Sequence, residues 1–386
     1  MLNSIYVDNF KALVDFELRF EKTTFLVGLN GAGKSSVLQF IDFVSSVSKG
    51  KCHQWLDDRD WSPVDLNSKL KRKLNIEFEI RFELGVGEGF GEVIWKASFN
   101  RAKMRCTQES FEVNGKTVAR VSDGIFYNSY ETNHAEKIKT EYEGSYVFQL
   151  KDSILENWPG IFATKQFLRN MQVLDSLSPQ SLRKKSRESS GTIGLGGERL
   201  SALIHEMSES DREKLHDLTK KFYSNITFKT KSLRSGWKEI WLTELYQKSK
   251  LETAQQHIND GTLRILAILA LLIGEDNNLI VLDEIENGIN PELVGDLIKI
   301  ILNSKHQVLS TTHSPIILNY LPDESAKVSV QYLYRRKDGA VKSVPLFGIP
   351  SMIQKLRVMG PGEVFADTDL RALNLELFES DKDEQG

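Results

Sequence analysis

Thr23-Thr24-Phe25-Leu26-Val27, running straight into Gly28-Leu29-Asn30-Gly31-Ala32-Gly33-Lys34-Ser35, is the stretch that decides how this chain folds. A short β-rich run ends in a glycine-rich turn. From Ser35 onward Val37, Leu38, Ile41 and Phe43 or Val44 recur at helical spacing. The turn fits the pattern G-x-x-x-x-G-K-[ST] in the setting it requires, after a strand and opening a helix. Its glycines let the backbone N–H groups of Gly28, Asn30, Gly31, Ala32, Gly33, Lys34, Ser35 and Ser36 turn inward on phosphate oxygens. The helix N-terminus adds its positive end. Lys34 is expected to reach the β- and γ-phosphates, and the Ser35 hydroxyl to bind Mg²⁺. A plain glycine turn would look similar, but the pattern arises by chance in only about one per cent of chains this long. A nucleoside triphosphate with Mg²⁺ is the expected ligand.

Farther along, Leu279-Ile280-Val281-Leu282 is uniformly apolar, as a strand covered on both faces should be, and it ends in Asp283-Glu284. Open α/β sheets bind ligands at the carboxyl ends of their strands. Asp283 is therefore expected to hold Mg²⁺ through water and Glu284 to take a proton from the attacking water. Alone, an acidic strand end is a weak signal, because many strands end in acids for solubility; the phosphate loop reverses that balance.

Between these motifs and beyond them the texture varies. Ser4–Phe20 reads as two short strands joined through Asn9-Phe10-Lys11. Asn75–Leu84 alternates strictly, Glu92–Phe99 is another strand candidate, and Phe111–Val121 carries an Asn114-Gly115 hairpin turn, together predicting antiparallel sheet. The polar, basic, glycine-rich segment Gln180–Gly197 reads as a mobile loop. Amphipathic helices follow near Glu198–Met207 and Asp211–Phe222, then strands near Ile226–Lys231 and Lys238–Tyr246. Asn259-Asp260-Gly261-Thr262 next leads into the apolar helix ending at Gly274. A helix near Pro291–Leu302, a strand Gln307–Ser310 and a hairpin within Val328–Leu346 turning at Asp338-Gly339 complete the pattern, before an acidic, frayed ending at Glu379–Gly386. The expected fold is α/β: a mostly parallel sheet with an antiparallel β-subdomain and an inserted helical and mixed lid subdomain. The expected divisions are 1–50, a first half of a nucleotide-binding head; 51–175, its β-rich part; 176–250, the insertion; 251–346, the second half; and 347–386, a C-terminal extension.

Composition narrows the class. With 386 residues, a net charge of −3 and two cysteines, the chain carries no disulfide framework, zinc spacing or overall basic character. The apolar run Ile265–Ile273 is too short to span a bilayer, and the N-terminus lacks a signal-peptide pattern, so a cytoplasmic location without membrane is expected. His53 beside Cys52 has no second pair to make a metal site. Gly191–Gly197 resembles a phosphate loop only superficially, with no preceding strand and no Lys-Ser.

The motif order is phosphate loop, long insertion, glycine-bearing helix start, acidic strand end, and polar strand end with histidine. Gly261 precedes Asp283 by 22 residues, and His313 follows Asp283 by 30. This order, carried by GLNGAGKSS, INDGTLR, VLDEIENGINP and STTHSP with NFK near the start, resembles the ABC-type AAA ATPase heads of the SMC, Rad50 and RecF group. With GGERLSALIHEM upstream of the helix start, it looks most similar to the OLD-like bacterial branch that includes Septu- and PARIS-type anti-phage defence ATPases. The resemblance covers both ends well and Ala119–Arg187 poorly.

The resemblance implies ATP and Mg²⁺ as cofactors and a hydrolase that closes head to head on ATP, as a homodimer or higher homo-oligomer. Asn259, Asp260 and Gly261 would face the γ-phosphate held by the second copy, with Gly261 leaving room for it. His313 would contact the γ-phosphate, and Asn287–Asn290 would cross the dimer interface. Taken alone, the helix start reads as an ordinary capped core helix. The chain departs from related signatures in placing Asn259 where serine is usual and one glycine where two are common. Phe10 and Lys11 are candidates near the base or α-phosphate, and Gln149 and Gln172 are undiscriminated candidates for the lid glutamine. A separately encoded nuclease or toxin effector is the implied partner. Arg183-Lys184-Lys185 with Arg187, and Lys220 through Lys238, leave nucleic acid open, although most charge runs are solvated faces. A RecF-like ATP-dependent DNA clamp is the alternative reading.

Overall fold

A computed structural model describes residues 1–86, 89–128, 134–174, 177–275 and 277–383. They form two compact units. One comprises Met1–Met171, Lys327–Met352 and Thr368–Gly386; the other comprises Gln172–Ala326 and Ile353–Asp367.

In the first unit the strict alternation of Asn75–Val86 does what period-two patterning should. Ile76, Phe78, Ile80 and Phe82 are buried, and in register opposite them on Gly89–Asn100 stand the buried Phe99, Ala97, Trp95 and Val93. The eight strands of this sheet run in the order Phe16–Arg19, Leu2–Asp8, Asn75–Val86, Gly89–Asn100, Arg105–Val113, Lys116–Ser122, Ile125–Asn128 and His134–Lys137, each pair antiparallel. Asn114 and Gly115 both take positive φ, 50° and 75°, as a two-residue hairpin turn demands. An aromatic core lies under the sheet: Trp95 meets Phe78, Phe111 and Phe148 at ring-centroid distances of 4.8–5.7 Å. The helix Lys34–Lys49 adds Phe40 and Phe43, which pack on Phe10.

Thr23–Val27, buried throughout, pairs in parallel with Val330–Arg335, which forms the expected hairpin with Val341–Pro345. The C-terminal helix Leu370–Asp383 docks here through Tyr332 Oη, which donates to Asn374 Oδ1 at 2.8 Å. The acidic ending is thus helical as far as Asp383 rather than frayed from Glu379, and 384–386 lie outside the described residues.

In the second unit Leu279–Leu282 and Gln307–Thr311 pair in parallel. The helix Asp260–Ile273 buries every residue from Thr262 to its end, and Pro291–Leu302 buries one face. A three-stranded antiparallel sheet comprises Ile226–Ser232, Lys238–Tyr246 and Ser249–Ala254. Its third strand escapes sequence reading because Ser249–Glu252 is exposed and carries no buried period. The segment expected as a mobile loop is stitched down. Ser186 and Ser201 share a hydroxyl contact of 2.8 Å, Ser189 donates to Glu206, and Gln172 Nε2 donates to the Gly191 carbonyl at 3.0 Å.

The architecture is α/β with mixed sheets. Both expected parts are present: parallel pairing joins Thr23–Val27 to Val330–Arg335 and Leu279–Leu282 to Gln307–Thr311, and the antiparallel β-subdomain is the eight-stranded sheet. Among the described residues, no helix is long and apolar enough to cross a membrane.

Candidate functional site

The phosphate loop takes the backbone its glycines permit. Gly28, Gly31 and Gly33 all have positive φ. Two of them also answer a packing demand: a Cβ on Gly28 would sit 2.3 Å from the Leu333 carbonyl oxygen, and one on Gly33 would sit 2.7 Å from a Val341 methyl. The hairpin Val330–Pro345 therefore buttresses the loop, and Arg335 Nε donates to the Gly31 carbonyl at 2.6 Å. Lys34 is buried, and its ammonium donates to the carbonyls of Gly28 at 2.9 Å and Leu29 at 3.2 Å, holding the cation inside the curl of the loop. Asn30, Gly31 and Ser35 are exposed at the surface of this curl, Ala32 is buried and Ser36 is half-buried.

Beside it, Phe10 lies fully buried among Phe40 and Phe43, so it is a core residue and cannot stack on a base. Lys11 Nζ donates to Gln39 Oε1 at 2.9 Å and rests 3.2 Å from the centroid of Trp61. Sequence reading missed Trp61. The lid-glutamine candidates are both bound to backbone, Gln149 Nε2 donating to the Ser145 carbonyl at 3.0 Å and Gln172 to Gly191.

The second unit gathers the acidic pair, the helix start and the histidine loop. Thr311, at the end of the neighbouring parallel strand, donates its hydroxyl to Asp283 Oδ1 and accepts the Glu284 N–H at 2.8 Å. Glu284 has φ of 47°, a left-handed conformation costing a non-glycine residue about 1–2 kcal/mol. Its side chain is exposed, with Asn287 Nδ2 3.4 Å from Oε2. The turn continues through Asn287 N–H to Glu284 carbonyl, 3.0 Å, and Ile289 N–H to Glu286 carbonyl, 3.1 Å. Glu286 Oε1 accepts the His313 backbone N–H at 2.8 Å, while Oε2 is buried without a hydrogen-bond partner among the described residues. His313 itself is exposed.

The helix start joins the same block. Asn259 caps Asp260–Ile273, its Oδ1 accepting the Thr262 N–H at 2.8 Å, and Asp260 pairs with Arg183. A Cβ on Gly261 would lie 2.7 Å from the Gly288 carbonyl oxygen. The glycine is thus already required by the loop after the acidic pair in its own chain, whatever else approaches. Arg264, one turn on and 6% exposed, donates to the carbonyls of Asp283 at 3.1 Å and Glu284 at 2.7 Å and, from its other nitrogen, to Leu177 at 3.1 Å. Desolvation pulls its pKa down, opposed by the nearby Glu284, Glu286 and Asp283 carboxylates, but a guanidinium keeps its charge. The available signal was a single arginine inside an otherwise apolar helix.

The basic stretches are largely occupied internally. Lys229 and Lys250 pair with Glu252, Lys185 pairs with Glu239, and Lys231 covers the Trp241 ring at 3.5 Å.

A glycine loop curled around a lysine, opening a helix in an α/β fold, defines a nucleotide-binding P-loop protein. The chain matches the AAA ATPase domain family over residues 1–268 and belongs to that family. Its fold is also that of SMC heads. It is similar to an SMC head bound to the C-winged helix domain of ScpA, at 16% identity and a TM-score of 0.57, covering 90% of this chain and 99% of the other. It is likewise similar to the Pyrococcus furiosus SMC head with an extended coiled coil, bound to the C-terminal domain of ScpA, at 14% identity and a TM-score of 0.54, covering 92% of this chain and 99% of the other. No curated protein matches the sequence.

Proposed function

We propose that the chain is a Mg²⁺-dependent ATP hydrolase that closes head to head on ATP and switches a separately encoded nuclease or toxin effector in prokaryotic anti-phage defence. The observation that carries the hydrolase reading is Glu284, an exposed carboxylate kept in a left-handed backbone by Thr311 and Arg264 immediately after Asp283. Strain of this kind persists where the surroundings over-determine it, commonly at reactive sites.

In this reading the backbone of Gly28–Ser36 cradles the phosphates, and Lys34 leaves the Gly28 and Leu29 carbonyls for the β- and γ-oxygens. The Ser35 hydroxyl and the Asp283 carboxylate, oriented by Thr311, are hard oxygen donors of the kind Mg²⁺ takes. Bound Mg²⁺ would neutralise charge developing on the phosphates. Glu284 takes the proton of the attacking water, and His313 contacts the γ-phosphate. The amide donors of Asn259, with the N–H groups of Asp260 and Gly261, complete the site from a second copy; the cap uses only Oδ1, so the Nδ2 donors are available. Membership of the AAA ATPase family supports nucleotide binding. The OLD-like motif order supports the defence role and the separate effector. The internal pairing of the lysines favours this reading over the RecF-like clamp.

Phosphate release tests it. Turnover is expected with Mg²⁺ and to be lost with EDTA and in Glu284→Gln, which should accumulate as ATP-loaded dimers. Wild-type turnover in Glu284→Gln would remove Glu284 from the mechanism. ATP-independent effector activity, measured with the neighbouring gene product, would remove the switch.

A further inference from the structure

We propose that Arg264 is a positioning residue for hydrolysis: it fixes the reversed backbone of Glu284, and so aims the carboxylate, from the first turns of the helix that begins at Asn259. The proposal rests on the reading of Glu284 as the base. Thr262–Ile273 is buried throughout and apolar but for Thr262 and Arg264, so packing alone would favour leucine there. The guanidinium instead spans three carbonyls, those of Leu177, Asp283 and Glu284. Two of these flank the peptide at which the chain turns left-handed. A carbonyl displaced by such a turn leaves its strand ladder, and when it is half-buried it needs donors. The Glu284 carbonyl takes the Asn287 N–H on one side, which leaves its second lone pair and the Asp283 carbonyl to be met from the helix. Arg264 meets them with a planar fork that a lysine cannot reproduce.

The same helix meets the loop beyond Glu284 at a second point, where Gly261 lies against the Gly288 carbonyl. That loop returns to the carboxylate through Asn287 Nδ2. Two contacts one turn apart on one helix thus grip both sides of the Glu284–Gly288 turn. A load on the helix start, of the kind a partner's γ-phosphate would apply at Asn259–Gly261, reaches the base of the same chain through this grip. Arg264 touches no reacting atom in this scheme and acts only through the geometry of Glu284.

The test is a double-mutant cycle of Arg264→Met and Glu284→Gln on the full chain, reading ATP affinity and single-turnover hydrolysis separately. Arg264→Met should lower the hydrolysis rate about 100-fold, the scale expected for a misplaced catalytic group, with ATP affinity changed less than about twofold. In the Glu284→Gln background it should cost nothing further. An unchanged rate in Arg264→Met, while Glu284→Gln is inactive, would overturn the positioning role and leave the base intact. Additive losses in the cycle, or equal losses of affinity and rate, would show a merely structural arginine. If Arg264→Met fails to fold, Arg264→Lys keeps the charge but not the fork; a slowed rate with normal affinity is then expected, and wild-type turnover would refute the proposal. Wild-type turnover in Glu284→Gln alone would instead sink the underlying assignment of the base.

Discussion

The phosphate loop and the turn after Asp283 both bend backbone against its usual preference, and they do so by opposite means. The loop uses glycine: Gly28, Gly31 and Gly33 reach positive φ without a side-chain penalty, and the Val330–Pro345 hairpin presses against two of them. The acidic turn places Glu284 in the same region of backbone space and holds it there with a buried arginine and a threonine. Glycine suffices where the turn has only to bend its backbone. A carboxylate stands at the second turn, so the conformation has to be imposed from outside, by residues far away in sequence.

The sharpest way to break this contrast is at the loop. Lys34→Ala should abolish ATP binding, seen as a loss of at least about 100-fold in affinity and of the thermal stabilisation that ligand binding confers, because its ammonium is the cation held by the Gly28 and Leu29 carbonyls inside the curl. Retained binding would mean the loop works through backbone alone. Next comes the acidic turn: Glu284→Gln should keep ATP affinity while turnover falls about 10²–10⁴-fold, the range for loss of a general base.

A third outcome concerns the packing beneath the sheet. Glu109 is fully buried, and burial pushes its carboxyl up to about 7, against hydrogen bonds from Ser145 and the Val147 N–H. A folded-state pKa raised above the unfolded value of 4.5 gives stability that is present below pH 4.5 and is lost as pH rises through 7. The loss is on the order of 3 kcal/mol. Denaturant midpoints should therefore fall between pH 5 and 8 in the wild type and stay flatter in Glu109→Gln; parallel profiles would refute the assignment.

The smallest effect separates two reasons for one glycine. In an open helix Gly→Ala stabilises by about 1 kcal/mol. Gly261→Ala, with its Cβ 2.7 Å from the Gly288 carbonyl, should instead destabilise the protein without nucleotide by about 1–2 kcal/mol. A raised melting temperature would show that the glycine serves only an approaching ligand.

The contrast also explains what sequence reading could reach. The phosphate loop, the helix Pro291–Leu302, the strand Leu279–Leu282 and the Asn114-Gly115 hairpin were legible because local pattern and turn chemistry determine them. Arg264 was visible only as an oddity in an apolar helix, because its partners at Leu177, Asp283 and Glu284 are joined to it by the fold alone. Phe10 stood only as a candidate near the base or α-phosphate, since a motif cannot show that its ring is spent on Phe40 and Phe43. The ordered path of 180–197 was hidden for a similar reason: its serine and glutamine bonds are long-range and leave no period.

Whether the pocket is shared between two copies is tested most directly by mixing two inactive variants. Lys34→Ala lacks the grip on phosphate. Asn259→Asp keeps the cap to Thr262 but removes the amide donors and sets a negative charge toward the partner's γ-phosphate. Each should be inactive alone, and their mixture should regain turnover, because each mixed dimer contains one intact pocket. A mixture that forms mixed dimers with ATP yet stays as inactive as its parts would contradict the shared site.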